Sequence, residues 1–139
     1  MATFNKFNAF VEAVAEGKHD LGADTLKMML TNVAPVATNS VKTDLTEIAA
    51  GNGYTAGGAT VTITASSQTS GTYKLVGSDV VFTASGGAIA TFRYVSLYNF
   101  TSAGEELIGF WDNGSAVDLA DGSDFTVDLD PTNGILQIV

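Results

Sequence analysis

The chain has 139 residues, of which 45% are hydrophobic and 15% are charged, and its formal net charge at pH 7 is −9. This length and hydrophobic content predict one folded domain and exclude a largely disordered chain. The negative charge argues against nucleic acid as a partner, because it repels phosphate backbones. The absence of cysteine excludes disulfides, thiolate metal sites and a cysteine nucleophile.

The sequence also predicts that the protein does not enter membranes. No stretch approaches the roughly 18 consecutive apolar residues of a membrane-spanning helix. Polar residues such as Asn5, Lys6, Asn8 and Glu12 interrupt the apolar residues near the start, which argues against a signal peptide. We therefore expect no membrane partner.

Residues 3–16 are predicted to form the only helix, with residue 17 as a glycine that ends it. The apolar residues of this segment recur at helical spacing and form one stripe: Phe4, Phe7, Phe10, Val11 and Val14. Two interpretations stay open. The stripe packs on the chain's own sheet, which we favour because exposing three phenylalanines is costly, or the segment is an arm that docks on a partner.

The next elements are shorter. Residues 25–31 are predicted as a strand on length, and residues 41–50 fit either a helical turn or a strand. The glycine-rich segment GNGYTAGG at residues 51–58 precedes a strand rather than a helix, so we reject a phosphate-binding loop. We interpret it as a loop whose glycines need positive φ angles, anchored by Tyr54.

Strands then recur about every ten to twelve residues. They are predicted at residues 60–65, 72–76 and 80–84, with a polar turn at residues 66–71. Residues 89–112 are expected to form a central hairpin, because its first strand is apolar on both faces, as strands in the middle of a sheet are. This rhythm predicts a mainly β fold, a single-domain antiparallel β-sandwich or barrel over residues 1–139 with one short N-terminal helix.

The last part of the chain continues this pattern. Asp112, Asn113 and Gly114 are predicted to form a turn after the strand at residues 107–111. Further strands are expected at residues 117–119, 125–129 and 135–139. The final strand is apolar, so we expect it to be paired in the sheet or buried at an interface.

Candidate chemical sites are weak. Five aspartates near the end of the chain have oxygen ligands for calcium, but their spacing does not match a known calcium loop: Asp118, Asp121, Asp124, Asp128 and Asp130. His19 is the only histidine and is predicted to lie on the surface. Tyr94, Tyr98 and Trp111 fit a sugar-stacking platform or, more commonly, a core. We therefore expect neither an enzyme nor a bound cofactor or metal.

Four segments carry recognisable motifs: LTN at residues 30–32, DLTEIAAGNGYTAGG at residues 44–58, FRYVSLYN at residues 92–99 and IGFWD at residues 108–112. Together they resemble a family of small virion proteins of tailed bacteriophages. The resemblance extends over most of the chain and fits the last segment, from residue 112 onward, more loosely. Phe110 departs from the pattern, since tryptophan is common at that position in the family.

The resemblance implies a β-rich capsid decoration or cement protein that binds the major capsid protein and copies of itself. A homo-oligomer is expected, with a trimer favoured. The protein would be made in the cytoplasm of the bacterial host and located on the capsid surface. The alternatives are a tail-tube, tail-tip or head-fibre subunit, or a module that binds host-surface glycans. The expected contact residues lie at the margins of the predicted core: Phe4, Phe7, Phe10, Tyr54, Ile138 and Val139.

Overall fold

The computed structural model describes residues 2–139 and consists of ten strands and one α-helix. In chain order the elements are β1 Asn5–Lys6, α1 Ala9–Ala15, β2 Leu26–Thr31, β3 Ala59–Thr60, β4 Ile63–Thr69, β5 Thr72–Gly77, β6 Val80–Thr83, β7 Phe92–Asn99, β8 Leu107–Val117, β9 Asp124–Val127 and β10 Leu136–Ile138. The strands form three antiparallel sheets with the orders β1-β8-β7-β2-β3, β10-β5-β4 and β6-β9. The predicted mainly β, sandwich-like fold with one short helix is confirmed.

The predicted central hairpin is formed by β7 and β8. β7 lies in the middle of the five-stranded sheet, between β8 and β2. Its register places Val95 opposite Trp111 and Leu97 opposite Gly109. The prediction that this strand is covered on both faces is also confirmed, since residues 95–99 are all buried.

The sheet buries apolar side chains on both faces because β2 alternates between two cores. Met28 and Leu30 belong to the large core, whereas Met29 belongs to a second core with Phe7 and Tyr98. Successive side chains of a strand point to opposite faces, so the second core lies across the sheet from the first. Phe7 packs in this second core and Phe10 in the large core, which favours packing of the N-terminal segment on the chain's own sheet over a free docking arm.

The predicted helix at residues 3–16 is wrong in extent. Only residues 9–15 are helical, and β1 pairs with β8, with Asn5 opposite Phe110 and Lys6 opposite Gly109. Gly109 makes room for this contact, because a Cβ there would lie 2.1 Å from the Phe4 ring. The helical stripe is therefore only partly buried, and Val11 is 55% exposed.

The predicted turn at residues 112–114 is also wrong, because β8 continues through it to residue 117. Gly114 adopts a φ of 89°, and its N–H donates to the Asp112 carboxylate. The pairing with β7 shifts register here and resumes with Phe92 opposite Val117. The turn residues therefore form an irregularity within one long strand rather than a reversal of the chain.

Two further segments differ from prediction. The strand expected at residues 60–65 is divided between β3, in the five-stranded sheet, and β4, in the three-stranded sheet. The polar turn expected at residues 66–71 narrows to Ser70 and Gly71, whose φ angles are 51° and 83°. Residues 41–50 contain one 3-10 turn, Lys42–Asp44, and a bridge between Glu47 and Thr31.

Candidate functional site

Three of the six predicted contact residues lie in the chain's own core. Phe7, Phe10 and Tyr54 are exposed by only 0%, 4% and 3%. They are not available as surface contacts in this conformation, because Phe7 packs in the second core and both Phe10 and Tyr54 pack in the large core. These three residues have a role in the fold of the chain itself instead of the predicted role in an interface.

The other three residues lie at the surface or close to it. Phe4 is half-buried, with its ring centroid 5.3 Å from that of Trp111. Ile138 is half-buried in β10, and Val139 is 99% exposed. The predicted contacts of Phe4, Ile138 and Val139 therefore remain predictions.

The glycine-rich loop is held by the carboxylate of Glu47. Its Oε1 accepts hydrogen bonds from the Tyr54 hydroxyl at 2.7 Å and from the Gly57 N–H at 2.6 Å. The Tyr54 hydroxyl in turn accepts from the buried Leu30 N–H at 3.1 Å, and the Tyr98 hydroxyl donates to the Gly57 carbonyl at 2.7 Å. We call these five residues the Glu47 network.

Burial fixes the protonation of both tyrosines in this network. It raises the pKa of Tyr54 far above the ordinary tyrosine value, and it raises the pKa of Tyr98 to about 12. Both hydroxyls therefore keep their protons at neutral pH and act as hydrogen-bond donors. The network is a set of satisfied internal bonds, which favours a structural role over proton transfer.

His19 is not on the surface as predicted; it is 9% exposed and packs against the Phe10 ring. Asn99 connects it to the neighbouring loops. The Asn99 amide nitrogen lies 3.0 Å from His19 Nδ1 and 2.6 Å from the Asp24 carboxylate, and its oxygen accepts from the Thr101 N–H at 3.0 Å. No local pattern predicts this cluster, since its members are distant along the chain.

The geometry disfavours the charged form of His19. Its Nδ1 faces the Asn99 amide donor, and its Nε2 is buried without a hydrogen-bond partner among residues 2–139. A proton on Nδ1 would face another donor. Burial accordingly lowers the pKa of His19, against the opposing effect of the nearby carboxylates of Glu106 and Asp24.

We expect the free energy of unfolding to fall as the pH is lowered from 7.5 to 5.5. The folded state has a His19 pKa below the unfolded value of about 6.5, so the unfolded state takes up the proton first. The stabilisation is complete above the unfolded pKa and is lost as the pH falls toward the folded pKa. Urea unfolding at both pH values measures the loss.

The matched variant for this test is His19→Asn, whose side-chain oxygen can replace Nδ1 as an acceptor but does not titrate. Its free energy of unfolding should change less over the same pH interval than that of the unsubstituted chain. Equal changes in the two proteins would contradict the assignment of the pH dependence to His19.

The sugar-stacking platform that was considered as an alternative to a core does not form. Trp111 is 7% exposed and Tyr98 is fully buried, so neither ring presents a free face to solvent. A cleft of about 410 Å³ does lie beside Trp111, between β8 and β9. Its Asp112 carboxylate is already paired with Arg93, at 2.8 Å from Nε. The aromatic residues of β7 and β8 are therefore mainly core residues, as their positions in the central hairpin indicate.

The aspartates near the end of the chain support turns and strand ends. Asp121 accepts from the Gly86 N–H, Asp124 from the Thr83 hydroxyl, and Asp130 from the N–H groups of Thr132 and Asn133. Within residues 2–139 no three of the metal-ligating side chains His, Asp or Glu are grouped as they would be around an ion. Hydrogen bonds at turns and strand ends therefore give Asp121, Asp124 and Asp130 an internal role.

Exposed apolar side chains lie on the segment after β2. Residues 32–40, here called the valine loop, expose Val33 by 59% and Val36 by 53%. The Asn8 N–H, just before α1, donates to the Ala37 carbonyl of this loop at 2.9 Å. The exposed Val11 lies on that helix, so the loop and α1 form neighbouring parts of one surface.

Comparison with models of protein families, with curated proteins and with solved structures finds no match for the chain. None of the helices within residues 2–139 has the length and apolar character needed to cross a membrane.

Proposed function

We propose that the protein is a structural subunit of a tailed-bacteriophage virion that decorates the assembled head by binding the major capsid protein. The resemblance of residues 30–32, 44–58, 92–99 and 108–112 to small virion proteins is the basis of this proposal. The fold is compatible with it, because a mainly β body suits a protein that stabilises a lattice.

The observation that carries the proposal is the convergence of the motifs in the Glu47 network. Leu30 belongs to the first motif, Glu47, Tyr54 and Gly57 belong to the second, and Tyr98 belongs to the third. These residues bond to one another instead of facing a cleft. A motif that specifies internal contacts is typical of a structural protein, whereas a catalytic motif leaves polar groups free for a substrate.

We assign the capsid contact to the valine loop. Residues 32–40 contain no charged side chain, so little desolvation of charge opposes an interface there. Val33 and Val36 present apolar surface beside α1. Pro35 is buried between them and holds the backbone of the loop in place. The occupant that we propose is the outer surface of the major capsid protein.

Replacing Val33 and Val36 together with aspartate should weaken binding to capsids by about tenfold or more, because both charges would need to be desolvated. Sedimentation of the purified protein with heads that were assembled without it measures the bound fraction. The matched control is Val81→Asp, since Val81 is 51% exposed on β6. Equal weakening by both variants would contradict the assignment of the contact to the loop.

The location on the head is tested separately. Antibody labelling of intact virions should place the protein on the capsid in electron micrographs, and capsids without it should lose resistance to heat. Labelling of the tail would favour the tail-tube or tail-tip alternative. An absence of any effect on capsid stability would contradict a cement role.

A further inference from the structure

One strand of the molecule leaves a side of its backbone unpaired. β4 is the last strand of the sheet β10-β5-β4 and pairs with β5 alone. Within residues 2–139 no other backbone hydrogen bond reaches it. All of its residues except Ile63 are exposed. Alternate N–H and C=O groups along about 23 Å of strand therefore face solvent.

The sequence of β4 lacks the usual protection of an exposed edge. Natural sheets guard such edges with lysine, other charges, proline, bulges or covering loops. β4 reads ITASSQT and contains no charged residue or proline, and its one register shift lies at its start, between Ile63 and Ala65, away from the stretch proposed to pair. It is continued by a tight turn at Ser70 and Gly71, whose positive φ angles fit the two-residue hairpin that keeps paired strands in register. The edge is therefore well ordered and open.

The distribution of charge indicates which partner this edge suits. The chain has a formal net charge of −9, yet residues 48–73 contain no Asp, Glu, Lys, Arg or His. Two copies of an acidic protein repel each other over most of their surfaces, and a contact between copies is least opposed where both are neutral. A basic partner would gain nothing from this edge. Its chemistry fits a second copy of the same chain.

We propose that β4 pairs antiparallel with β4 of a second copy, which joins the two three-stranded sheets into one six-stranded sheet. In the hairpin Thr69 lies opposite Thr72 and closes the turn, so the backbone groups of Ser66 and Gln68 point to the free edge. Ala65, Ser67 and Thr69 point to the sheet face that carries a shallow cleft of about 400 Å³, which extends over β5 to β10.

This contact is two-fold and isologous, so it produces dimers or other even-numbered assemblies. It therefore differs from the trimer that the resemblance implies. It does not depend on the virion role proposed above, because it concerns only copies of this chain. Measurements on the purified chain test it without capsids.

The first test is Ser67→Lys, which places like charges across the two-fold contact. We expect the unsubstituted chain to form a dimer in sedimentation equilibrium at concentrations up to about 1 mM, and the variant to dissociate about tenfold or more readily. The matched control is Ser115→Lys, which makes the same change at an exposed position of β8 and should leave the dimer intact.

The second test uses the absence of cysteine from the natural sequence. Ser66→Cys and Ser67→Cys, made separately, each introduce a single thiol near the centre of β4, where directly opposed residues approach within disulfide range. At least one of them should give a disulfide-linked dimer under mild oxidation, and Ser115→Cys should not. A monomer at every concentration, a trimer, or a dimer unaffected by Ser67→Lys would overturn the proposal.

Discussion

Replacing Gly58 with alanine is expected to lower the free energy of unfolding by about 3–5 kcal/mol, the sum of a left-handed backbone and a steric clash. Gly58 has a φ of +83° and lies next to β2 at the point where β3 begins. A Cβ at this position would lie 1.8 Å from the Met28 carbonyl oxygen and 2.6 Å from its carbon. Because both atoms belong to the backbone of a central strand, relieving the overlap requires β2 and β3 to separate.

Gly86→Ala is the matched control for this variant. Gly86 has the same φ of +83°, but a Cβ there would meet nothing within 4 Å. Its substitution should cost only about 1–2 kcal/mol, the strain of a left-handed conformation. Urea unfolding of both variants at pH 7.5 gives the two free energies. Equal losses would mean that the approach of Met28 to Gly58 does not decide the conformation of the loop.

The close approach at Gly58 illustrates which part of the fold the sequence could predict. The glycine-rich composition of residues 51–58 predicted positive φ angles, and Gly51, Gly53, Gly57 and Gly58 have them. The strand β2 was predicted from its length and the central hairpin from two-faced apolarity. These signals are local, because a few consecutive residues determine the alternation of side chains along a strand and the φ angles that a loop requires.

The errors arose where distant segments decide local structure. Residues 3–16 have apolar residues at helical spacing. Asn5 and Lys6 are nevertheless in a strand, because they pair with β8. His19 lies in a polar segment and is nevertheless buried, because Asn99 from the far end of β7 meets it. Tertiary contacts of this kind override local propensity, and the residues next to them in the sequence do not indicate them.

The burial of three predicted contact residues, Phe7, Phe10 and Tyr54, has a related reason. Large aromatic side chains mark either a core or an interface, and composition alone does not separate the two. Phe7 is buried in the second core, with Met29 and Tyr98, and Phe10 is buried in the large core. The open edge of β4 was interpreted as part of a turn, since serine, glutamine and threonine are equally typical of turns and exposed strands. The pairing of β4 with β5 shows that these residues form a strand with one unpaired side.

Substitution of Tyr54 is the second change with a large expected effect on stability, because its hydroxyl forms hydrogen bonds with two partners inside the fold. Replacing Tyr54 with phenylalanine should lower the free energy of unfolding by about 2–3 kcal/mol. The change removes the acceptor of the Leu30 N–H, which is fully buried and has no route to water. It also removes a donor from the Glu47 carboxylate, although the Gly57 N–H remains. Denaturant unfolding of the isolated chain measures the loss.

The matched control is Tyr73→Phe, which removes a hydroxyl that bonds only to the exposed Ser66 hydroxyl, at 2.8 Å. Water replaces that bond, so its loss should cost less than about 1 kcal/mol. The comparison also decides what Tyr54 does. A contact residue for a partner would tolerate phenylalanine in the isolated chain, whereas a member of the Glu47 network would not. If both variants unfold with the free energy of the unsubstituted chain, Tyr54 does not hold the glycine-rich loop on β2, and its role as a partner contact would have to be reconsidered.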